Sequence, residues 1–158
     1  VVFLFFYIYR MKIIQASLDN LDVLIPLFDG YRSFYKQASN LSAAKEFLLK
    51  RFQNKDSTIL LALDETNNGI GFTQLYPSFS SVSMQRVYIL NDLFVIPEVR
   101  GKGVGKELLI AAQNFANSKG AKGLTLETAI DNPAQKLYEK LGWKKDSEVF
   151  HYTWIAST

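Results

Sequence analysis

Residues 99–109 read VRGKGVGKELL: three glycines, an arginine and two lysines leading into an apolar helical pattern. Glycines let the backbone turn sharply and approach a ligand, with amide N–H groups aimed at it. A helix beginning near Gly103 adds the positive end of its dipole, and Arg100, Lys102 and Lys106 add cationic charge. These are the requirements of a phosphate or pyrophosphate site. Three loop types share them, and spacing separates the three. A P-loop demands G-x-x-x-x-G-K-S/T, with the hydroxyl on Mg2+; here Gly101 to Gly105 is one residue short and Lys106 precedes Glu107. A dinucleotide fingerprint demands G-x-G-x-x-G, but its third glycine falls on Lys106 or Leu108 in the two possible frames. The remaining pattern, R/Q-x-x-G-x-G/A between a strand and a long helix, is met by Arg100, Gly103 and Gly105.

Two further stretches carry chemistry. In RVYILNDLFVIP, residues 86–97, the polar pair Asn91–Asp92 interrupts an apolar strand, which marks a bulge or a site. Downstream, LETAIDNPAQKLYEKLGW, residues 126–143, supplies Glu127 and an Asn132 placed to cap the next helix. The same stretch sets Tyr138 beside a stripe of Ala134, Leu137 and Leu141. Taken in this order and at this separation, LFVIPEVRGKGVG and the second block resemble the two signatures of the GNAT superfamily of acetyl-CoA-dependent N-acetyltransferases. The resemblance runs from Lys12 to Ile155 in element order and is most specific over Ile89–Lys145. YRSFY, FTQLYPSFSS and ILNDLF are similar to one branch, which includes yeast acetyltransferases acting on histones, polyamines or D-amino acids.

The resemblance implies an α/β fold: a mixed, mostly antiparallel sheet with a splayed central strand pair, flanked by helices. The acetyl-pantetheine arm of acetyl-CoA is then expected in the gap of the splay, against the main chain of Leu93, Phe94 and Val95. Arg100, Gly101, Lys102, Gly103, Val104, Gly105 and Lys106 are expected to take the pyrophosphate, and Asn132 the pantetheine arm. Tyr138 matches a tyrosine that touches the cofactor and donates to the departing thiolate. A phenol near pKa 10 loses a proton to a thiolate near 8.5 only at a cost of roughly 2 kcal/mol, so a hydrogen bond to developing charge suits it better than full transfer. Packing beside the apolar stripe is its plain alternative.

The implied reaction is direct attack of a neutral amine on the thioester through a tetrahedral intermediate, whose oxyanion an N–H near Leu93 or Phe94 can stabilise. A lysine-like amine must first lose a proton, at roughly 4–5 kcal/mol at neutral pH. Asp92 and Glu127 are the candidate catalytic bases, the alternative for each being a carboxylate bonded to backbone or to Arg86. His151 is a weaker candidate, expected as an imidazole on the final strand. On the acceptor side, Tyr31, Tyr35, Gln74, Tyr76 and Arg86, with Arg32 and Phe34, suit a small amine carrying an apolar part or a carboxylate. The expectation is therefore a cytoplasmic N-acetyltransferase using acetyl-CoA, with a small-molecule amine acceptor and no metal. A protein lysine or N-terminal acetyltransferase is the alternative, and a non-catalytic acyl-CoA-binding module the third reading.

These groups need a frame to hold them. KIIQAS (12–17), STILLAL (57–63), GIGFTQLYPSF (69–79, ending near Pro77), the run 86–97, GLTLETA (123–129) and EVFHYTWI (148–155) read as strands, with a further short one near Trp143. Helices are expected after Asp19 or Asn20 with a break at Pro26, after Ser42, from Gly103 to a Gly120 cap, and between Pro133 and Gly142. The 158 residues suffice for one domain, expected at 11–158. No cysteine is present, so disulfides, thiolate metal sites and a cysteine nucleophile are excluded, and a single histidine rules out a multi-histidine site. A net charge of +3, 18 basic against 15 acidic residues, is too small to argue for nucleic acid. Residues 1–10, VVFLFFYIYR, carry nine apolar or aromatic side chains, less than half of the roughly 20 that span a bilayer. They are expected to be an upstream extension, perhaps from a misplaced start, outside the working domain and without stable membrane association. A homodimer through the final strand or flanking helices is expected.

Overall fold

The computed structural model describes residues 9–157; the apolar stretch 1–8 lies outside them. The chain divides into two compact units, Val1–Glu127 and Thr128–Thr158, taken in turn. The first holds β1 (Met11–Gln15), α1 (Leu21–Phe34), α2 (Leu41–Asn54), β2 (Thr58–Asp64), β3 (Gly69–Ser80), β4 (Gln85–Val95), α3 (Val104–Ser118) and β5 (Leu124–Thr125). The strands form one sheet in the order β1-β2-β3-β4-β5, antiparallel except for the parallel β4–β5 pair. No helix among the described residues is long and apolar enough to cross a membrane.

β2 is buried along five consecutive residues because both faces of the sheet are covered. Alternation sends Ile59, Leu61 and Leu63 into a core with Leu24, Leu27 and Phe28 of α1, Leu48 of α2, and Phe72 and Phe94. Leu60 and Ala62 point the other way, where α3 packs with Val104, Leu108, Leu109 and Ala112 buried. Small residues set the spacing of these layers. An added Cβ at Gly71 would lie 2.7 Å from the Phe94 carbonyl oxygen and 3.3 Å from Leu108. One at Gly30 on α1 would meet the Phe94 ring at 3.0 Å.

Two irregularities shape β4. Gln74 faces Asp92 and Leu75 faces Leu90, so Asn91 is an extra residue, the bulge that the polar interruption foretold. On its other side β4 pairs with β5 only at Tyr88 and Ile89. Beyond Ile89 the two strands separate and no strand pairs with that edge of β4, which is the expected splay.

Several local expectations change. Pro26 does not divide α1, because it sits on the exposed face, where the carbonyl it orphans at Asp22 meets water. Before α1 a single 3-10 turn, Leu18–Asn20, is capped by Ser17, whose Oγ accepts from Asp19 N. Asn40 rather than Ser42 caps α2, accepting from Ala43 N at 3.0 Å. β3 runs through Pro77 to Ser80: β2 ends opposite Leu75, so the missing N–H of Pro77 falls on an unpaired edge. The strand expected at 123–129 pairs over Leu124–Thr125 alone.

The second unit contains α4 (Gln135–Lys140), closed by Gly142 at φ +88° with Trp143 N donating to Tyr138 O. Neither the strand near Trp143 nor the one at 148–155 forms among the described residues. Residues 148–155 pair with no strand, and side chains of both alternation phases are exposed, Phe150, Tyr152 and Trp154 among them. An extended segment becomes a strand only by pairing.

The approach of β3 to β4 at Gly71 makes a specific demand. Gly71→Ala is expected to lower stability by about 1–3 kcal/mol, since a methyl there overpacks backbone that cannot yield. A reduced urea midpoint with unchanged slope is the expected reading; a midpoint equal to wild type would show that the layers can relax.

Candidate active site

The glycine loop is built as its residue types require. β4 ends at Val95, a 3-10 turn covers Pro97–Val99, and α3 starts at Val104. Val99 and Val104 are buried and pin the two ends, while Arg100–Gly103 stand exposed between them. Gly101 and Gly103 have φ of +77° and +88°, a region costly for other residues. Space beside both is open, with no atom within 4 Å of an added Cβ. Gly103 is the N-cap of α3 and supplies no side chain to its first-turn amides, while Glu107 N already closes the helix onto Gly103 O. A bare helix N-terminus behind an open glycine turn fits an anionic group such as a pyrophosphate.

Arg100 is held more tightly than its sequence pattern indicates. Its Nε donates to Val95 O at 3.0 Å, and the guanidinium lies 5.6 Å from the Phe34 ring centroid and 5.8 Å from that of Phe94. It therefore ties the loop both to the end of β4 and to the last residue of α1. Lys102 lies over the Tyr9 ring at 5.2 Å, and Lys106 is exposed.

The bulge carries the second centre. Asp92 is 2% exposed, yet its partners are neutral. Gln74 Nε2 donates to Oδ2 at 2.5 Å and Asn91 Nδ2 to Oδ1 at 2.9 Å, and the Tyr31 phenol also hydrogen-bonds the side chain. The Asp92 main-chain oxygen accepts from Thr73 Oγ1 at 2.8 Å. Burial pushes the Asp92 carboxyl above the ordinary range, against the pull of those three donors. Gln74 is itself fully buried, and its Oε1 has no hydrogen-bond partner.

Tyrosines roof this acid. Tyr31 donates to Asn91 O at 3.3 Å, and burial together with Asp92 drives its phenol far above the ordinary value. Burial, with Asp92 adding to it, raises Tyr76 to about 12, while Arg51 pulls the other way. Tyr35 stands edge-on to Tyr31 at 5.0 Å and is 53% exposed, so the aromatic cluster reaches the surface.

Of the residues expected on the acceptor side, Tyr31, Tyr35, Gln74 and Tyr76 thus gather about Asp92. Arg86 does not. It lies six residues from Asp92, roughly 20 Å along β4, with its guanidinium over Phe79 and Tyr88. Leu93 and Val95 are half-buried on β4 and Phe94 is in the core, which leaves main chain as what Phe94 can offer a ligand. Glu127 is exposed, two residues past the end of β5.

Within the second unit, Asn132 takes the local capping role: Oδ1 accepts from Ala134 N at 2.9 Å and Nδ2 donates to Thr128 Oγ1 at 2.8 Å. Tyr138 is half-buried on α4, its ring 6.1 Å from that of Trp143. His151 is exposed and lies 3.2 Å from Thr153 Oγ1. Two contributors escaped the sequence reading of the site. Asn91 was legible as half of the polar pair but not as a partner of its neighbour, and Phe34 only acquires a role through Arg100.

The fold and these two centres can be set beside known proteins. The profile of the Acetyltransferase (GNAT) family matches residues 24–143. The uncharacterized N-acetyltransferase YhfO of Bacillus subtilis is 52% identical over 143 residues, 90% of this chain and 95% of that protein. The D-amino-acid N-acetyltransferase HPA3 of Saccharomyces cerevisiae is 33% identical over 92 residues, 57% of each chain. A crystal structure of a probable acetyltransferase superposes with a TM-score of 0.87 at 45% identity, covering 93% of this chain and 99% of that one. The splayed, bulged β4, the uncapped α3 behind its glycine loop and these matches together make the chain a member of the GNAT acetyltransferase family.

Proposed function

We propose that this chain transfers the acetyl group of acetyl-CoA to the primary amine of a small molecule, with Asp92 as the base that takes up the amine's proton. The observation carrying this reading is a buried carboxyl, raised in proton affinity, at the bulge where β4 separates from β5. An amine in water holds its proton by several pKa units over an ordinary carboxylate. Burial narrows that gap, which suits Asp92 to the task better than the exposed Glu127.

The donor side rests on Gly101, Gly103 and the first turn of α3 for the pyrophosphate, with Arg100 and Lys106 adding charge. Main-chain groups of Leu93, Phe94 and Val95 line the edge of β4 left without a strand partner. Acetyl-CoA, when bound, supplies an acyl group activated as a thioester. Tyr138 is assigned the hydrogen bond to the leaving sulfur, and Asn132 a contact to the pantetheine arm beyond its capping bond. A small acceptor fits a vestibule of tyrosines around one acid, and the similarity to a D-amino-acid acetyltransferase adds support for amino-acid-like amines.

Thiol release from acetyl-CoA, followed across amino acids of both hands, polyamines, aminoglycosides and lysine peptides, is expected to single out a small amine. Preference for the peptides would move the reading to protein acetylation, and no turnover with any amine would leave an acyl-CoA-binding module. Asp92→Asn is expected to lower kcat by about 10²–10⁴-fold and to raise stability at neutral pH. The sign follows from linkage: the folded state holds the Asp92 proton more tightly than the unfolded state, so stability falls as pH rises from the unfolded pKa through the folded one. The melting temperature of Asp92→Asn should therefore match wild type near pH 3 and exceed it at pH 8, by several degrees if the gain is about 1–2 kcal/mol. Tyr138→Phe should cost about 10²–10⁴-fold in kcat with little change in the acetyl-CoA KM; full turnover would return Tyr138 to a packing role.

A further inference from the structure

Asp92 poses a problem that its own burial creates. At 2% exposure it lies beneath Tyr31 and Tyr76, so an acceptor amine at the surface of the aromatic cluster has no direct path to the carboxylate. Gln74 touches both oxygens' surroundings but is fully buried, and a primary amide is a poor proton carrier. Asn91 has the same limitation. Tyr76 feels the charge of Asp92 but has no hydrogen bond to it among its causes of perturbation. Tyr31 is different. It is half-buried, belongs to the ring cluster that reaches the surface at Tyr35, and hydrogen-bonds both the Asn91 carbonyl and the Asp92 side chain.

We propose that Tyr31 is a proton relay that links a surface-bound acceptor ammonium to the buried Asp92 carboxylate. This rests on the acetyl-transfer reading above. A phenol can accept at its lone pairs while donating its own proton, so the relay needs no ionised tyrosine. The acceptor's N–H bond breaks as its proton forms a bond to Tyr31 Oη. The original Oη proton passes to Asp92, leaving a neutral amine, an unchanged tyrosine and a carboxylic acid. The high proton affinity of the Tyr31 phenol makes a free phenolate unfavourable, so the two transfers are concerted. The surroundings are set by Tyr31 and Tyr35 from α1, Gln74 and Tyr76 from β3 and Asn91 from β4, with Arg51 and Asp56 acting on Tyr76 from the end of α2. Among these Arg51 is the cation, and it is paired with Asp56 at 3.1 Å.

Tyr31→Phe keeps the ring that packs on Phe28, Tyr35 and Phe72 and removes only the hydroxyl. With the best primary amine from the turnover panel, kcat is expected to fall about ten- to a hundredfold. The dependence of kcat on the D2O fraction, bowed in wild type by two protons in flight, should become a straight line. The Asp92 carboxyl signal, assigned by its loss in Asp92→Asn and followed by 13C NMR, should titrate at higher pH once this donor is gone. A Tyr31→Phe rate within about twofold of wild type, an unchanged bowed dependence, or an unmoved Asp92 titration each overturns the relay. Should Tyr31→Phe not fold, 3-fluorotyrosine at position 31 keeps the ring and hydroxyl; a more acidic phenol that leaves kcat unchanged has the same overturning force. If no amine in the panel is acetylated, the acetyl-transfer reading falls and the relay with it. Turnover by wild type with an unaffected Tyr31→Phe removes the relay alone.

Discussion

A carboxyl group enclosed within a sheet by neutral donors is the costliest arrangement in this protein, and much of the surrounding structure serves it. Moving a charge out of water is strongly unfavourable, and a cationic partner is the usual compensation. Asp92 has Gln74, Asn91 and Tyr31 instead. Three hydrogen bonds temper the penalty without cancelling it, so the group keeps a raised proton affinity. A lysine or arginine in the same place would have stabilised the fold and held the carboxylate as a poor base. The tension between stability and reactivity is thus written into which partners are present.

β4 has to satisfy two sets of neighbours. Its β3 edge is paired from end to end apart from the bulge, and its Phe94 side chain completes the core under α1. Its other edge is released after Ile89. Gly71 allows β3 to lie close against the Phe94 carbonyl, and Arg100 fastens the strand's last carbonyl to the loop. The open edge is therefore backed by rigid structure, which is what a main-chain binding surface needs if it is to hold its geometry.

The sequence disclosed the parts whose demands are local. Positive φ at Gly101 and Gly103, the closing glycines of α3 and α4, and the interruption at Asn91–Asp92 all follow from residue type and spacing. What it hid depends on distant chain segments. Nothing in YRSFY says which tyrosine reaches Asp92, because that is decided by where α1 crosses β3 and β4. Arg86 and Arg100 both look available for an anion, yet one stacks on Phe79 far along the strand and the other is held between Phe34 and Phe94. Pro26 and Pro77 mislead for a single reason: each lacks its N–H at a place where no partner was waiting. The alternating pattern at 148–155 describes what a strand would need on its own side and is silent about a pairing edge.

The single extra residue at Asn91 has a bearing on how this chain can change over generations. Strand side chains alternate faces, so loss of one residue there would exchange the faces of every position between the bulge and Val95. Phe94 would leave the core at the same moment that Asp92 left its tyrosines. Insertions and deletions at this point are consequently filtered by stability before activity is ever tested. The reactive geometry is inherited under the protection of the hydrophobic core, while the vestibule side chains on α1 remain free to vary one at a time.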